Sequence, residues 1–138
     1  MKGERESEIL ARLCEEAKKE GKIAGDMLNY LTEVFGSRFI KAWEALKEER
    51  VKKYTFKPSN RVVWIVVGRE RDYLILPAAE FCSCNDFYYN VMEKKAHLCY
   101  HLIAQKIAEC LGRYDLIEED DQLYDVLMKE WKSTGHAP

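Results

Sequence analysis

Three cysteines and one histidine carry the chemistry that this sequence offers. They form two short pairs, Cys-Ser-Cys at residues 82–84 and Cys-Tyr-His at residues 99–101, with fourteen residues between the pairs. Three thiolates and one imidazole are a complete tetrahedral donor set for zinc, with bonds of about 2.3 Å to sulfur and about 2.0 Å to nitrogen. The spacing therefore predicts one zinc ion held by Cys82, Cys84, Cys99 and His101.

The two pairs need different backbone geometry to reach one ion. In an extended segment, residues two apart point to the same side, so Cys82 and Cys84 can both face the metal. Within a regular α-helix, residues two apart diverge by about 200° around the axis. Cys99 should therefore lie before a helix or in its distorted first turn, with His101 inside the helix. The ion would then join the end of a sheet to the start of a helix.

The donor count favours a structural ion over a catalytic one. Four protein ligands close the coordination shell, whereas catalytic zinc usually keeps a position for water or substrate. The sequence also contains no Gly-rich phosphate loop and no His-Glu-x-x-His pair. We expect no enzymatic activity. The alternative, a zinc hydrolase, would require an open coordination position on the metal. His97 offers a competing nitrogen, while Cys14 and Cys110 fall on apolar helical stripes and are expected in the core.

Length and composition predict one folded domain inside the cell. The chain has 138 residues, a net charge of −2 and 47% apolar residues, which is enough for one modest core. Five cysteines without an export signal indicate a reducing compartment, cytoplasmic in a prokaryote or nuclear in a eukaryote. No apolar run is long enough to span a bilayer, so no membrane association is expected. The charge balance argues against a protein that coats DNA.

The periodicity predicts an α+β fold that places the metal site at a strand-to-helix junction. Helical spacing covers about residues 4–20, 23–35 and 37–46, and these N-terminal helices precede a change of period. Residues 51–57, 61–67 and 73–76 then form a three-stranded antiparallel β-meander. C-terminal helices are expected from about His97 to Gly112 and over about Asp121–Lys132, with the acidic run 118–121 at the start of the last helix.

The chain divides at residue 50 in this interpretation. Residues 1–50 form an N-terminal helical segment, and residues 51–138 form the zinc-finger module with the meander, the metal site and two C-terminal helices. We expect the two parts to pack as one compact domain.

At the cysteine pairs the chain resembles the SWIM zinc-finger family, whose pattern is Cys-x-Cys, a variable gap, then Cys-x-His. It is most similar to the small Shu-complex SWIM proteins, which extend the pattern to Cys-x-His-x-x-Ala, and Ala104 matches that last position. The aromatic residues Phe81 and Phe87 are also similar to that group. The resemblance covers about residues 81–104. It implies one structural zinc ion and a partner of the RecA-family recombinase paralog class.

Two function hypotheses follow from the sequence. In the first, implied by the resemblance, the chain is an adaptor that binds a RecA-family recombinase paralog in homologous recombination and DNA repair. In the second, it is a nucleic-acid-binding finger that contacts single-stranded DNA or acts in regulation, with no small-molecule substrate in either case. The tyrosines at 88, 89 and 100 could stack on unpaired bases, and Arg69 and Arg71 could add charge. The main candidate phosphate contacts are Lys52, Lys53, Lys57, Arg61, Lys94 and Lys95.

Overall fold

The structure is a computed structural model that describes residues 2–23, 25–84 and 98–134. In the order of the chain, its elements are α1 (Lys2–Glu20), α2 (Gly25–Phe35), α3 (Ser37–Lys47), β1 (Val51–Lys57), β2 (Arg61–Val67), β3 (Asp72–Leu76), β4 (Phe81–Cys82), α4 (Tyr100–Leu111), β5 (Asp115–Asp120) and α5 (Tyr124–Thr134), with 3₁₀ turns at Pro77–Ala79 and Asp121–Leu123. The α+β class and the order of helices, meander, metal-site junction and helices are as predicted.

The N-terminal helices form where apolar residues repeat at helical spacing. In α1, Leu10, Leu13, Cys14 and Ala17 are buried, which is the i, i+3, i+4, i+7 stripe of a helix that packs on one face. The helix ends at Glu20, and Gly21 follows with φ at 75°, a left-handed conformation that glycine adopts without steric cost. The chain can therefore turn back towards α2 at that point.

The sheet has five strands in the order β4-β3-β2-β1-β5 within the described residues. Neighbours β1 to β4 pair antiparallel, so the predicted meander is present with one further strand, β4, at its edge. Strand β2 is central, and its residues 63–66 are buried on both faces of the sheet.

The fifth strand corrects the prediction for the C-terminal part. We expected the acidic run at residues 118–121 to begin a helix, but Asp115–Asp120 is β5 and pairs parallel with β1. Asp121 lies in the 3₁₀ turn that follows, and the last helix begins at Tyr124 rather than at Asp121. The sheet edge is thus an acidic strand, and charge on an edge strand opposes pairing with other chains.

Two core clusters lie on opposite faces of the sheet. On one face, Trp64, Val66 and Ile75 pack with the N-terminal helices and α4. On the other face, Val63 and Ile65 pack with Met128 and Trp131 of α5. The first cluster takes residues from both sides of residue 50; the division into two segments at that residue stays a prediction.

Candidate metal centre

The first cysteine pair is positioned by the edge of the sheet. Cys82 pairs with Ile75 in the β3–β4 ladder. Ser83 then exchanges two hydrogen bonds with Leu74: its amide donates to the Leu74 carbonyl at 3.1 Å, and the Leu74 amide donates to Ser83 Oγ at 3.0 Å. Because Ser83 is held to the sheet in this way, Cys82 and Cys84 are fixed on either side of it.

The second pair is positioned by the start of α4. Cys99 precedes the helix with an extended backbone, φ −79° and ψ 166°, and its carbonyl accepts the amide of Ile103 at 3.2 Å. His101 is the second residue of the helix. This is the geometry that the sequence requires, since an extended Cys99 avoids the divergence of two side chains within a regular helix. The helix begins at Tyr100, after the predicted start near His97, which lies outside the described residues.

The fold brings the four predicted side chains together. The ligand atoms of Cys82, Cys84, Cys99 and His101 all lie within 4.8 Å of one another, and all four residues are buried. In a tetrahedral zinc site with bonds of about 2.3 Å, ligand atoms stand roughly 3.7 Å apart. The four residues can therefore hold one metal ion.

The imidazole of His101 provides an independent test of the fit. Both of its ring nitrogens are buried, and neither has a hydrogen-bond partner among the described residues. Burying polar atoms without partners costs about 1–3 kcal/mol each, and metal ligation by one nitrogen removes part of that cost. The rings of Tyr73 and Tyr100 lie against the imidazole, with centroids 4.0 Å and 3.8 Å away. These rings fix the orientation of His101.

The thiols polarise one another. Burial raises the pKa of Cys82, whereas hydrogen bonds from Cys82 and Cys99 lower the pKa of Cys84. Three buried thiolates would repel one another strongly. A divalent cation bound between them would offset their negative charge.

Curated relatives match the chain over most of its length. A protein from Dictyostelium discoideum named zinc finger SWIM domain-containing protein 7 homolog is 31% identical over 117 residues, 83% of this chain and 75% of that protein. The Mus musculus zinc finger SWIM domain-containing protein 7 is 31% identical over 126 residues, 89% of this chain and 82% of that protein. The chain belongs to the zinc finger SWIM domain-containing protein 7 family.

Two further comparisons complete this result. An uncharacterized protein from Archaeoglobus fulgidus is 38% identical over 84 residues, 61% of this chain and 65% of that protein. No protein-family model matches the chain. A single structural zinc ion is consistent with the buried Cys/His donor set and with the SWIM zinc-finger family.

The extended SWIM motif ends in the core. Ala104 is fully buried in the cluster between α4 and the sheet. It lies three residues after His101 and therefore on nearly the same side of the helix. A small residue at this position lets α4 pack close to the sheet that carries Cys82.

The metal centre also depends on α1 and α3, which carry none of the predicted ligands. Both carboxylate oxygens of Glu6 accept hydrogen bonds from the Arg38 guanidinium, at 3.0 Å and 2.7 Å. The pair also hydrogen-bonds to the backbone of Leu98. Arg38 Nη1 donates to the Leu98 carbonyl at 2.6 Å, and the Leu98 amide donates to Glu6 Oε1 at 3.1 Å. Leu98 directly precedes the metal-site residue Cys99. We call this arrangement the Glu6–Arg38 clamp.

Ser7, the next residue of α1, contacts the chain just before the first cysteine pair. Ser7 Oγ donates to Glu80 Oε2 at 2.7 Å, and Glu80 lies two residues before Cys82. Helix α1 therefore contacts the chain just before both cysteine pairs. No spacing or local pattern in the sequence indicates these contacts, because they join residues that are 73 and 92 positions apart.

The predicted phosphate contacts on β1 already have partners within the protein. Lys52 forms an ion pair with Asp115 of β5. Lys53 Nζ lies 5.5 Å from the centroid of the Trp64 ring and 5.8 Å from that of Tyr114, within the range of cation–π attraction.

The remaining predicted contacts either flank the turn between β1 and β2 or lie outside the described residues. Lys57 Nζ donates to the side chain of Asn60. The Arg61 guanidinium lies 4.0 Å from the Tyr124 ring centroid and bonds Ser59 Oγ at 3.1 Å. The residues Lys94, Lys95, Tyr88 and Tyr89 lie outside the described residues.

No helix among the described residues combines the length and the apolar character that crossing a membrane requires.

Proposed function

We propose that this protein is a non-catalytic adaptor whose fold is stabilised by zinc. It binds a RecA-family recombinase paralog and acts in homologous recombination and DNA repair. The proposal rests on the extended Cys-x-His-x-x-Ala motif, which resembles the small Shu-complex SWIM proteins, and on membership of the SWIM family.

The closed donor set is the observation that carries the non-catalytic part. Four buried side chains converge within 4.8 Å, so a tetrahedral ion bound there has all its positions filled by protein atoms. A catalytic zinc usually keeps one position for water. Three thiolates with Zn²⁺ also carry a net charge of −1, which makes the ion a weak Lewis acid.

The N-terminal helices offer apolar surface for a partner. Tyr30 on α2 and Ile40 on α3 are 39% and 49% exposed. Val126 on α5, which is 62% exposed, belongs to the helix that packs on the opposite face of the sheet. These positions allow a comparison between the two sides of the molecule.

Co-purification of the full chain with a RecA-family paralog from the same cell tests the adaptor proposal. We expect a stable complex that Ile40→Glu weakens at least about tenfold, which corresponds to about 1.4 kcal/mol. Val126→Glu introduces the same charge on the other side and serves as the matched control. Absence of association with every RecA-family paralog of that cell contradicts the proposal.

One feature favours the second candidate function, contact with single-stranded nucleic acid. A cleft of about 510 Å³ beside the metal centre brings cations and aromatic rings together. Four cations face two carboxylates there, although Arg50 is also paired with Glu48 at 2.9 Å. The lining residues are Lys41, Glu44, Arg50, Gly68, Arg69, Glu70, Arg71, Tyr73 and Tyr100.

Salt-dependent binding to a single-stranded oligonucleotide distinguishes this candidate from the adaptor. Each phosphate contact contributes about −0.7 to the slope of log K against log salt concentration. We expect Arg69→Gln to reduce the slope if the cleft binds phosphates, while Lys57→Gln, at the end of β1, leaves it unchanged. A flat salt dependence in the wild-type protein removes this candidate and leaves the adaptor proposal intact.

A further inference from the structure

Two cysteines remain outside the metal centre, and the fold brings them together. Cys14 lies in the buried stripe of α1, and Cys110 lies near the end of α4, partly buried against the same core cluster. Their places on apolar helical stripes predict ordinary core residues. They are 96 positions apart, so only the packing of α1 on α4 makes them neighbours.

A hydrogen bond places Cys14 beside the turn of α4 that carries Cys110. The Cys14 thiol lies 3.7 Å from the carbonyl oxygen of Lys106, to which it donates. In a helix that carbonyl also faces the amide of the residue four positions later, which is Cys110. Cys14 and Cys110 also line the same groove, and each thiol shifts the pKa of the other.

The pair can be reached from outside. Both cysteines line a surface groove of about 280 Å³, together with Ala11, Glu15, Lys18, Lys106 and Glu109. This access separates them from the three metal-site thiols, which are buried and, when metal is bound, occupied as ligands. A small thiol reagent in the groove meets Cys110 first, because Cys14 is only 8% exposed.

We propose that Cys14 and Cys110 form a reversible disulfide that links α1 to α4, with a low-molecular-weight disulfide such as oxidised glutathione as the oxidant. The proposal is independent of the partner suggested above, since it concerns the isolated chain.

The reaction balances as two thiol–disulfide exchanges. The Cys110 thiolate attacks one sulfur of the oxidant, forms a mixed disulfide and releases one small thiol. The Cys14 thiolate then attacks the Cys110 sulfur and releases the second small thiol. Two protein thiols are oxidised, one small disulfide is reduced, and the two thiol protons leave on the released thiols.

The local electrostatics support this order of attack. The neighbouring Cys14 thiol lowers the pKa of Cys110, and the charge of Lys18 acts in the same direction, while burial and the carboxylates of Glu109 and Glu15 oppose them. The pKa of Cys14 is raised, first by the neighbouring Cys110 side chain and then by burial. Because Cys110 is also the more exposed of the two thiols, it is the first nucleophile, and Cys14 resolves the mixed disulfide.

Peptide mapping of the zinc-loaded full chain, incubated with oxidised glutathione and alkylated, tests the proposal. Trypsin releases Cys14 in peptide 13–18 and Cys110 in peptide 107–113, whereas the metal-site cysteines lie in peptides 72–94 and 96–106. We expect peptides 13–18 and 107–113 to be linked, and zinc to be retained. The crosslink should raise the melting temperature by about 5–15 °C, because it closes a long loop.

Two single variants define the mechanism. Cys14→Ser should stop at a stable mixed disulfide on Cys110, and Cys110→Ser should leave peptide 13–18 unmodified under the same conditions. Three results overturn the proposal: no linked peptide while Cys110 is glutathionylated in the wild-type chain, crosslinks that only involve metal-site peptides, or no modification of either cysteine. Reduction with dithiothreitol must restore both free thiols, and failure to do so contradicts reversibility.

Discussion

The Glu6–Arg38 clamp gives the sharpest prediction, because one isosteric change removes it. In Glu6→Gln, one oxygen can still accept from Leu98 or from Arg38. The amide group that replaces the second oxygen is a donor, however, and it faces Arg38 Nη2, which donates to Glu6 Oε2 at 2.7 Å in the native protein. Two donors then oppose each other, and the negative charge that holds the guanidinium is lost.

The magnitude follows from the burial of the pair. Breaking a fully buried ion pair costs about 3–5 kcal/mol. The Glu6 side chain is 12% exposed and that of Arg38 is 27% exposed, so water compensates part of the loss. We expect the free energy of unfolding to fall by about 2 kcal/mol, which lowers the melting temperature of a chain of this size by about 6 °C.

The clamp should also affect the metal. It fixes the Leu98 backbone directly before Cys99, and partners that orient a metal ligand typically contribute 10- to 100-fold in affinity. We place the loss at the lower end, about tenfold, because Glu6 acts on the neighbouring backbone and not on the ligand atom itself. A purely structural role elsewhere in the fold would lower the melting temperature without changing zinc affinity.

Competition with a chromogenic zinc chelator measures the affinity, and scanning calorimetry measures the stability of the same samples. Glu8→Gln is the matched control, because Glu8 is exposed on the same helix, and it should change stability by less than about 0.5 kcal/mol. Arg38→Met completes a double-mutant cycle in which the two losses should be strongly non-additive. Fully additive losses, or a zinc affinity equal to that of Glu8→Gln, would refute the clamp.

Three further predictions separate the metal centre from the rest of the fold. Cys84→Ser should abolish tight zinc binding and remove hydrogen-exchange protection from α4; native protection there would contradict a structural ion. Ala104→Leu should overpack the contact between α4 and the sheet and lower the free energy of unfolding by about 1–3 kcal/mol. Urea titration measures this loss. An unchanged midpoint would show that the contact can accommodate a larger side chain. Trp131→Ala should lower the free energy of unfolding by about 3–5 kcal/mol in the same titration. It should leave zinc affinity unchanged, because the Trp131 cluster lies on the opposite face of the sheet. A loss of zinc equal to that of Cys84→Ser would show that the two faces are coupled.

The local patterns of the sequence were sufficient for most of the fold and for the metal centre. The helical stripes and the β-branched run of β2 are short-range signals, and burial follows them closely. The extended backbone at Cys99 was predictable as well, because two ligands separated by one residue cannot converge within a helix.

Strand β5 was missed because its stability comes from a distant partner. Its six residues include four acids, and Leu116 is 69% exposed, so neither alternation nor β-propensity indicates a strand. What holds it is the parallel ladder with β1, including the Lys52–Asp115 ion pair. The same pairing explains why the lysines of β1, which seemed available for phosphate in the sequence, have acidic neighbours in the fold.

The metal centre is a junction of the whole chain rather than an independent finger. Helix α1 contacts Glu80 through Ser7 and Leu98 through Glu6, so it holds the two approaches to the site at a fixed separation. The likeness to the mouse relative covers 89% of the chain, which is more than residues 51–138 could supply alone, so it extends into the N-terminal helices that carry no motif. Since the zinc ligands come from a sheet edge and a helix start that α1 ties together, metal binding and packing of the N-terminal helices should stabilise each other, and a ligand that moves α1 would change the affinity for the ion.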